Sequence, residues 1–394
     1  MLIFVFEIIK DMNIRRIVLA GAFCFVALGL SAQLLPERPV EPIKWWEPVE
    51  FPWATHKTDT ITVYIIGDVM SHGSQIEGAL RHGKPDFSTF LNHIAPDVES
   101  ADISICNMEY TLAGPPYSGY PSFCAPDEYT IYLRDIGFDV LLMANNHILD
   151  KGYKGLSRTF AVLDTLKGVQ YTGMARNAQE DKDRYPLIVV CKGIKIAIIN
   201  FTYGTNHKPT QDWPKINRID RADILAAINR AKAAEADLIF ALPHWGIEYK
   251  FRHNASQESL ARFMVENGVD AVIGGHPHYV QDMQWMGDVP VIYSLGNAVS
   301  NMDGPSARTG MAVTLRIALE TGERPRILAP KYELLWNSKP GEVEETHTSI
   351  PMRKFIAMPE KWHRQDAYRL MKEAYYRVQK ETGIHEEDTE TGSR

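Results

Sequence analysis

The sequence is poor in cysteine, with four in 394 residues. Cys24 falls in an N-terminal apolar stretch, which leaves Cys106, Cys124 and Cys191, an odd set without CxxC spacing. That excludes a disulfide framework and a thiolate zinc site, and admits at most one bridge, Cys106 to Cys124, in an oxidising compartment. Strong charge is lacking too. The 42 Lys and Arg against 49 Asp and Glu give a formal net charge of -7. Over this length nothing global points to nucleic acid or an anionic membrane surface as partner. An anionic ligand must be held by a local site. There is no internal repeat.

What remains is the composition of a globular chain, 45% hydrophobic and 23% charged, long enough to bury a sizeable core. At the N-terminus, Arg15-Arg16, an apolar stretch from Ile17 to Leu30, and the small pair Ser31-Ala32 have the three-part order of a secretory signal peptide. The reading is a leader over residues 1–32, with the start at Met12 and cleavage after Ala32. Its product is exported and periplasmic, extracellular or envelope-associated. The alternative is an uncleaved anchor, the one route to a membrane. Phe23 before Cys24 does not suit a lipobox. Residues 33–59 carry prolines every few positions, as in "LLPERPVEPIKWWEPVEFPW", and read as a linker or surface strap.

From residue 60 to about 350, apolar strands alternate with helices. "ITVYIIGD", "ADISICNMEY", "DVLLMANNH", "KIAIINFTYGTN", "DLIFALPHWG" and "DAVIGGHPH" read as strands, each ending in polar residues. "YTIYLRDIG", "KGLSRTFAVLDTLKGV", "RADILAAINRAKAAEA" and "SQESLARFMVENGV" read as helices, the last with Ser256 as N-cap. "VPVIYSLGN" and "GMAVTLRIALE" read as paired or edge strands. The pattern specifies an α/β sheet with helices on its faces, which binds ligands at the C-terminal strand ends. Residues 351–394 form a C-terminal helix, with Ala367, Leu370, Met371, Ala374 and Val378 at helical spacing, followed by the polar tail "HEEDTETGSR".

The strand ends collect Asp68, Asn107, Glu109, Asn145, Asn146, His147, Asp150, His244, His276 and His278. Alone, each has an ordinary reading: Asp68 caps a turn, His244 is a hydrogen-bonded core histidine, Asp150 caps the turn after it. Together, carboxylates, amide oxygens and three imidazoles suit Mn, Fe, Zn or a mixed pair, and are too nitrogen-rich for a pure Ca or Mg site. A pair of metals roughly 3.5–4 Å apart needs a bridging carboxylate, and the set contains one to spare. In "VIGGHPHYVQ" the glycines Gly274 and Gly275 are expected to supply the tight turn that aims His276 and His278 at one centre. Tyr203, Asn206 and Glu248, with Asn107 and Asn145, are expected to contact substrate.

"GDVM", "NMEYTL", "NNHILDKG", "HWGIEY", "GGHPHYVQ" and "YSLGN", in this order, resemble the motifs of the CapA family, the poly-γ-glutamate capsule biosynthesis proteins of the calcineurin-like metallophosphoesterase superfamily. The resemblance covers about residues 60–300 and implies a four-layer αββα sandwich with two divalent metal ions. It assigns Asp68, Glu109, Asn146, His244, His276 and His278 as ligands, with Glu109 in the place of a bridging aspartate. His147 falls at the position of the non-ligand histidine beside the substrate. Met70 stands where that superfamily carries a ligand histidine, and His72 is the nearby substitute.

The implied activity is metal-dependent hydrolysis of a phosphoester or a γ-glutamyl amide, with His147 as proton donor oriented by Asp150. The alternative is a non-catalytic component of capsular polymer export that binds a polyanionic chain. Partners are then an anionic polymer or phosphoester and the capsule synthesis or export machinery.

Overall fold

Side-chain alternation along the strands decides the layering. In the strand Thr60–Val69, Ile61, Val63 and Ile65 pack to one side and Tyr64 and Ile66 to the other, as a period of two requires when both faces of a sheet are covered. The strand Ile194–Thr202 divides likewise: Ile196 and Ile198 face inward, Ala197 and Ile199 outward. The structure, a computed structural model, describes residues 49–50, 60–80, 83–320 and 323–386. The expected leader, most of the Pro-rich stretch and residues 387–394 lie outside the described residues.

Two sheets result. The first has nine strands, in the order Thr348–Pro351, Lys331–Ser338, Thr309–Ala318, Thr60–Val69, Ile103–Met108, Val140–Leu142 and Gln170–Thr172. Asn297–Val299 is added beside Thr60–Val69, and Arg326–Ile327 beside Thr309–Ala318. The second has seven, in the order Val49–Glu50, Leu187–Cys191, Ile194–Thr202, Leu238–His244, Ala271–Ile273, Val289–Ile292 and Met283–Met286. The strand expected from "GMAVTLRIALE" is not an edge. Thr309–Ala318 is interior and antiparallel to Thr60–Val69, because Met311, Val313, Leu315 and Ile317 alternate into the core while the opposite face is also covered.

The inner faces of the two sheets share one core: Val63, Ile105 and Val140 from the first, Ile198, Phe240 and Ile273 from the second. Each such buried side chain contributes about 1.5–3 kcal/mol relative to exposure. The helices Asp127–Asp135 and Gly152–Leu163 cover the outer face of the first sheet through Tyr129, Leu133, Leu156 and Phe160. Arg221–Ala233 and Ala255–Glu266 cover the second through Ile224, Ile228, Leu260 and Met264. Helix, sheet, sheet, helix is the four-layer αββα sandwich.

Local chemistry fixes the helix starts. The Asp220 side chain accepts from the backbone of Ala222 and Asp223. Asn254, rather than Ser256, caps the next helix, because Asn254 and Gln257 form a reciprocal capping box. The C-terminal helix Gln365–Thr382 buries Ala367, Met371, Ala374 and Val378. Part of the expected tail is ordered against it: Glu386 is buried and accepts from the Tyr375 hydroxyl at 2.9 Å. The one bridge the sequence admits, Cys106 to Cys124, does not form; all three described cysteines are free and buried. Cys106 is locked in a central strand of the first sheet, and the Cys124 thiol is turned to the Gly114 carbonyl at 3.3 Å. No helix among the described residues is long and apolar enough to cross a membrane.

Candidate metal centre

The parallel strands of both sheets end at one edge, and each end delivers polar groups there. Asp68 lies at the end of Thr60–Val69, Glu109 follows Ile103–Met108, and Asn145 and Asn146 follow Val140–Leu142. From the other sheet, His244 closes Leu238–His244, and His276 and His278 follow Ala271–Ile273. All are buried.

The groups converge. Asp68, Glu109 and His278 each offer a donor atom within 4.8 Å of the others. His244 Nε2 lies 2.8 Å from Asn146 Oδ1 and 3.7 Å from Glu109 Oε1. His276 stands beside them, its ring centroid 4.9 Å from that of His244. Its backbone N–H donates to Asp68 Oδ2 at 3.2 Å. The structure thus brings together all six residues expected as ligands.

The turn is built differently from expectation. Gly274 and Gly275 have no left-handed backbone; the positive φ values belong to His276 (97°) and His278 (57°) themselves. Non-glycine residues held there store about 1–3 kcal/mol each. The glycines are needed for close approach instead. A Cβ on Gly275 would stand 2.8 Å from Asp68 Oδ1, and one on Gly274 would lie 2.2 Å from the Tyr293 carbonyl.

Burial sets the protonation. It pushes the Asp68 carboxyl up from its ordinary range, partly opposed by His278 and Asn107. It pushes Glu109 well above that range, and the neighbouring Asp68 charge adds to the effect. The same desolvation holds His244 far below the ordinary imidazole value and lowers His276 to about 3. These imidazoles are neutral at physiological pH, the form that ligates metal. Two atoms of the ring, Glu109 Oε1 and His276 Nδ1, are buried with no hydrogen-bond partner. Unmet polar atoms at such depth are costly, and a divalent cation would satisfy both. The donor set therefore fits a metal.

The supports around these groups are only partly those the sequence suggests. His147 Nδ1 lies 2.6 Å from Asp150 Oδ2, which also accepts from the Phe123 N–H at 2.7 Å. Asp150 therefore orients His147, and Lys151 takes the cap position of the following helix. His147 Nε2 points to the donor ring, 4.0 Å from Glu109 Oε1. Asn206 reaches the same imidazole, its Nδ2 3.5 Å from Nε2. Tyr203 is half-exposed against His276, at 4.4 Å between centroids.

Asn107 and Asn145 are internal braces rather than substrate contacts. Asn107 Nδ2 donates to Asp68 Oδ1 at 2.7 Å, and Asn145 Nδ2 donates to the Met108 carbonyl at 2.8 Å. Both sit on strand-end backbone whose side chains turn inward. Glu248 lies beside His276 and His278, inside the donor ring, where the sequence suggests a place at the rim. Met70 packs into the apolar core of the first sheet. His72 cannot simply replace the missing histidine, since its Nδ1 accepts from the Asn301 N–H at 3.2 Å and faces Gln75. Asn297, in "YSLGN", has a role that its motif does not announce. Its Oδ1 accepts from His278 Nδ1 at 2.9 Å, while its Nδ2 donates to the Ala307 carbonyl. That fixes the His278 tautomer and leaves Nε2 for a ligand.

The architecture is thus a four-layer αββα sandwich with carboxylate, amide and imidazole donors gathered at its strand ends. The family described as bacterial capsule synthesis protein PGA_cap matches residues 62–302, and the chain belongs to it. The chain is 26% identical over 301 residues to the capsule biosynthesis protein CapA of Bacillus anthracis, covering 74% of this chain and 69% of that protein. It is 26% identical over 256 residues to the PGA biosynthesis protein CapA of Bacillus subtilis, covering 62% and 64% respectively. A similar solved structure is the NAD nucleotidase of Haemophilus influenzae, with TM-score 0.44 and 14% identity over 71% of this chain and 58% of that one. Another is a 5'-nucleotidase precursor from Thermus thermophilus, with TM-score 0.40 and 14% identity over 82% and 58%.

Proposed function

We propose that this protein is an exported metal-dependent hydrolase of capsule or polyglutamate metabolism, acting on a phosphoester or, by the same chemistry, on a γ-glutamyl amide. Asp68, Glu109, Asn146, His244, His276 and His278 would hold two divalent ions of the Mn, Fe or Zn type. Such ions supply Lewis-acid polarisation of the reacting oxygen and acidify water. The remaining work belongs to the chain. His147 carries a proton on Nδ1 toward Asp150, so its Nε2 exchanges the second proton with the leaving or attacking oxygen. Asn206 steadies that imidazole, and Tyr203 forms an aromatic wall for the substrate. The surrounding burial excludes bulk water from the donors.

The observation that carries this reading is the His147–Asp150 pair aimed at Glu109. An oriented imidazole beside the metal donors is the arrangement that proton transfer to a leaving oxygen requires. The test is turnover by the Mn²⁺-reconstituted full chain of an aryl phosphate and of a γ-linked glutamyl peptide, compared with His147→Gln. Turnover should fall by about 10²–10⁴-fold in the variant, with metal content unchanged. A wild type that holds metal and polymer yet turns over neither substrate would replace this reading with that of a non-catalytic export component.

A further inference from the structure

Sequence and family resemblance leave one pole of the centre a ligand short, because Met70 occupies a histidine position and its side chain is buried in the core. The structure places Glu248, expected to contact substrate, beside two of the imidazoles. A Glu248 oxygen and nitrogens of His276 and His278 all lie within 4.8 Å of one another. His276 Nδ1 is buried and unpartnered in this same group.

The position of Glu248 is imposed by backbone bonds. The loop after Leu238–His244 and the turn after Ala271–Ile273 are joined on both sides of it: Trp245 N–H donates to the Gly275 carbonyl at 3.0 Å, and Tyr249 N–H to the Pro277 carbonyl at 2.8 Å. The Trp245 indole donates to the Tyr293 carbonyl at 2.9 Å and anchors the loop base. Tyr249, next to Glu248, has a left-handed φ of 61°, as His276 and His278 also do. Three strained non-glycine residues thus surround one carboxylate, a clustering that marks sites where structure is held for function. Glu248 is only half-buried, so it can meet an ion from the solvent side, opposite the fully buried Asp68 and Glu109.

We infer that Glu248 is a metal ligand, acting with His276 and His278. The inference rests on the reading that the centre binds divalent metal, and is independent of whether it hydrolyses anything. Its chemistry has a consequence for selectivity. An anionic oxygen in place of a neutral imidazole hardens that pole, which favours Mn²⁺ or Fe²⁺ over Zn²⁺ relative to an all-histidine arrangement.

Equilibrium dialysis of the full chain against Mn²⁺, with metal counted by elemental analysis, tests this directly. Wild type should bind two ions. Glu248→Gln should keep one at wild-type affinity and hold the other at least about tenfold more weakly, and Glu248→His should recover that affinity for Zn²⁺ more than for Mn²⁺. Melting of the metal-free variants should match metal-free wild type, which separates a lost ligand from a damaged fold. Two ions bound by Glu248→Gln with unchanged affinities would overturn the inference while leaving the hydrolase reading intact. A wild type that binds no ion would overturn both. A wild type that binds two ions without turnover would remove only the hydrolase reading, with the Glu248 result still decided by dialysis.

Discussion

Of the six residues expected as ligands, the nine-stranded sheet brings the oxygen donors and the seven-stranded sheet the imidazoles. Asp68, Glu109 and Asn146 end or follow strands of the first; His244, His276 and His278 end or follow strands of the second. The oxygen side carries a register shift between Ile66 and Asp68 but no donor in the left-handed region, and it is internally braced, with Asn107 and Asn145 bonded beneath it. The imidazole side is strained, with both residues of the HxH turn in the left-handed region. Burial acts on the two in opposite directions, raising the carboxyls and lowering the imidazoles. Neither sheet holds a complete donor set, so the centre exists only where the shared core between the sheets brings their edges together.

The largest expected effect comes from removing the strained half. His276→Ala with His278→Ala should abolish binding of at least one ion, a loss of more than about a hundredfold in affinity, and turnover should vanish with it. Alanine keeps the Cβ that a left-handed backbone strains, so the metal-free double variant should melt no higher than metal-free wild type. If elemental analysis finds the metal content preserved, the division of donors between the sheets is wrong.

A smaller effect is expected one bond further out on the same side. Asn297→Ala frees the His278 tautomer and should weaken metal binding about 10–100-fold, read by the same dialysis. An equal loss from a distant surface change would show that Asn297 acts only through the fold.

The smallest effect separates the two sheets by pH. Because burial raises Asp68 and Glu109, the metal-free folded state keeps protons that the unfolded chain releases above the ordinary carboxylate range. Their contribution to stability is present at low pH and declines as pH rises through that window. The lowered imidazoles act oppositely: between the ordinary imidazole value and about 3 for His276, the unfolded chain takes protons the folded one refuses, so stability falls as pH falls. Added Mn²⁺ replaces the carboxyl protons, and the gain in melting temperature on adding it should therefore grow as pH rises from about 5 to about 8. A gain that shrinks over that interval would contradict the protonation assigned to the oxygen side.

Much of this candidate site is legible in the sequence because each residue expected as a ligand sits at the junction of an apolar strand and a polar loop, and such junctions gather at one edge of an α/β sheet. Asp68, Glu109 and His244 can be read that way from local pattern alone. Glu248 cannot. Its place depends on a bond from Tyr249 N–H to the Pro277 carbonyl, between segments distant in sequence, and no local periodicity encodes it. The inward turn of Asn107 is hidden for a similar reason, since a strand's last polar residue can face either neighbour. The roles of Gly274 and Gly275 differ from expectation because sequence shows that a glycine is required and not which requirement it meets. In the fold, the alternating strands and helices are visible. The pairing of Thr309–Ala318 against Thr60–Val69 is not, because a two-sided apolar strand looks the same at an edge and in the interior.

Under the proposed function, donors from both sheets would build one centre for two divalent ions, with Glu109 in the place of the bridging carboxylate. Electron paramagnetic resonance of the full chain loaded with two equivalents of Mn²⁺ tests it most directly. The account predicts the spectrum of a spin-coupled pair in wild type and its loss in Glu109→Gln. The six-line spectrum of isolated Mn²⁺ in wild type, or a coupled spectrum that survives Glu109→Gln, would contradict it.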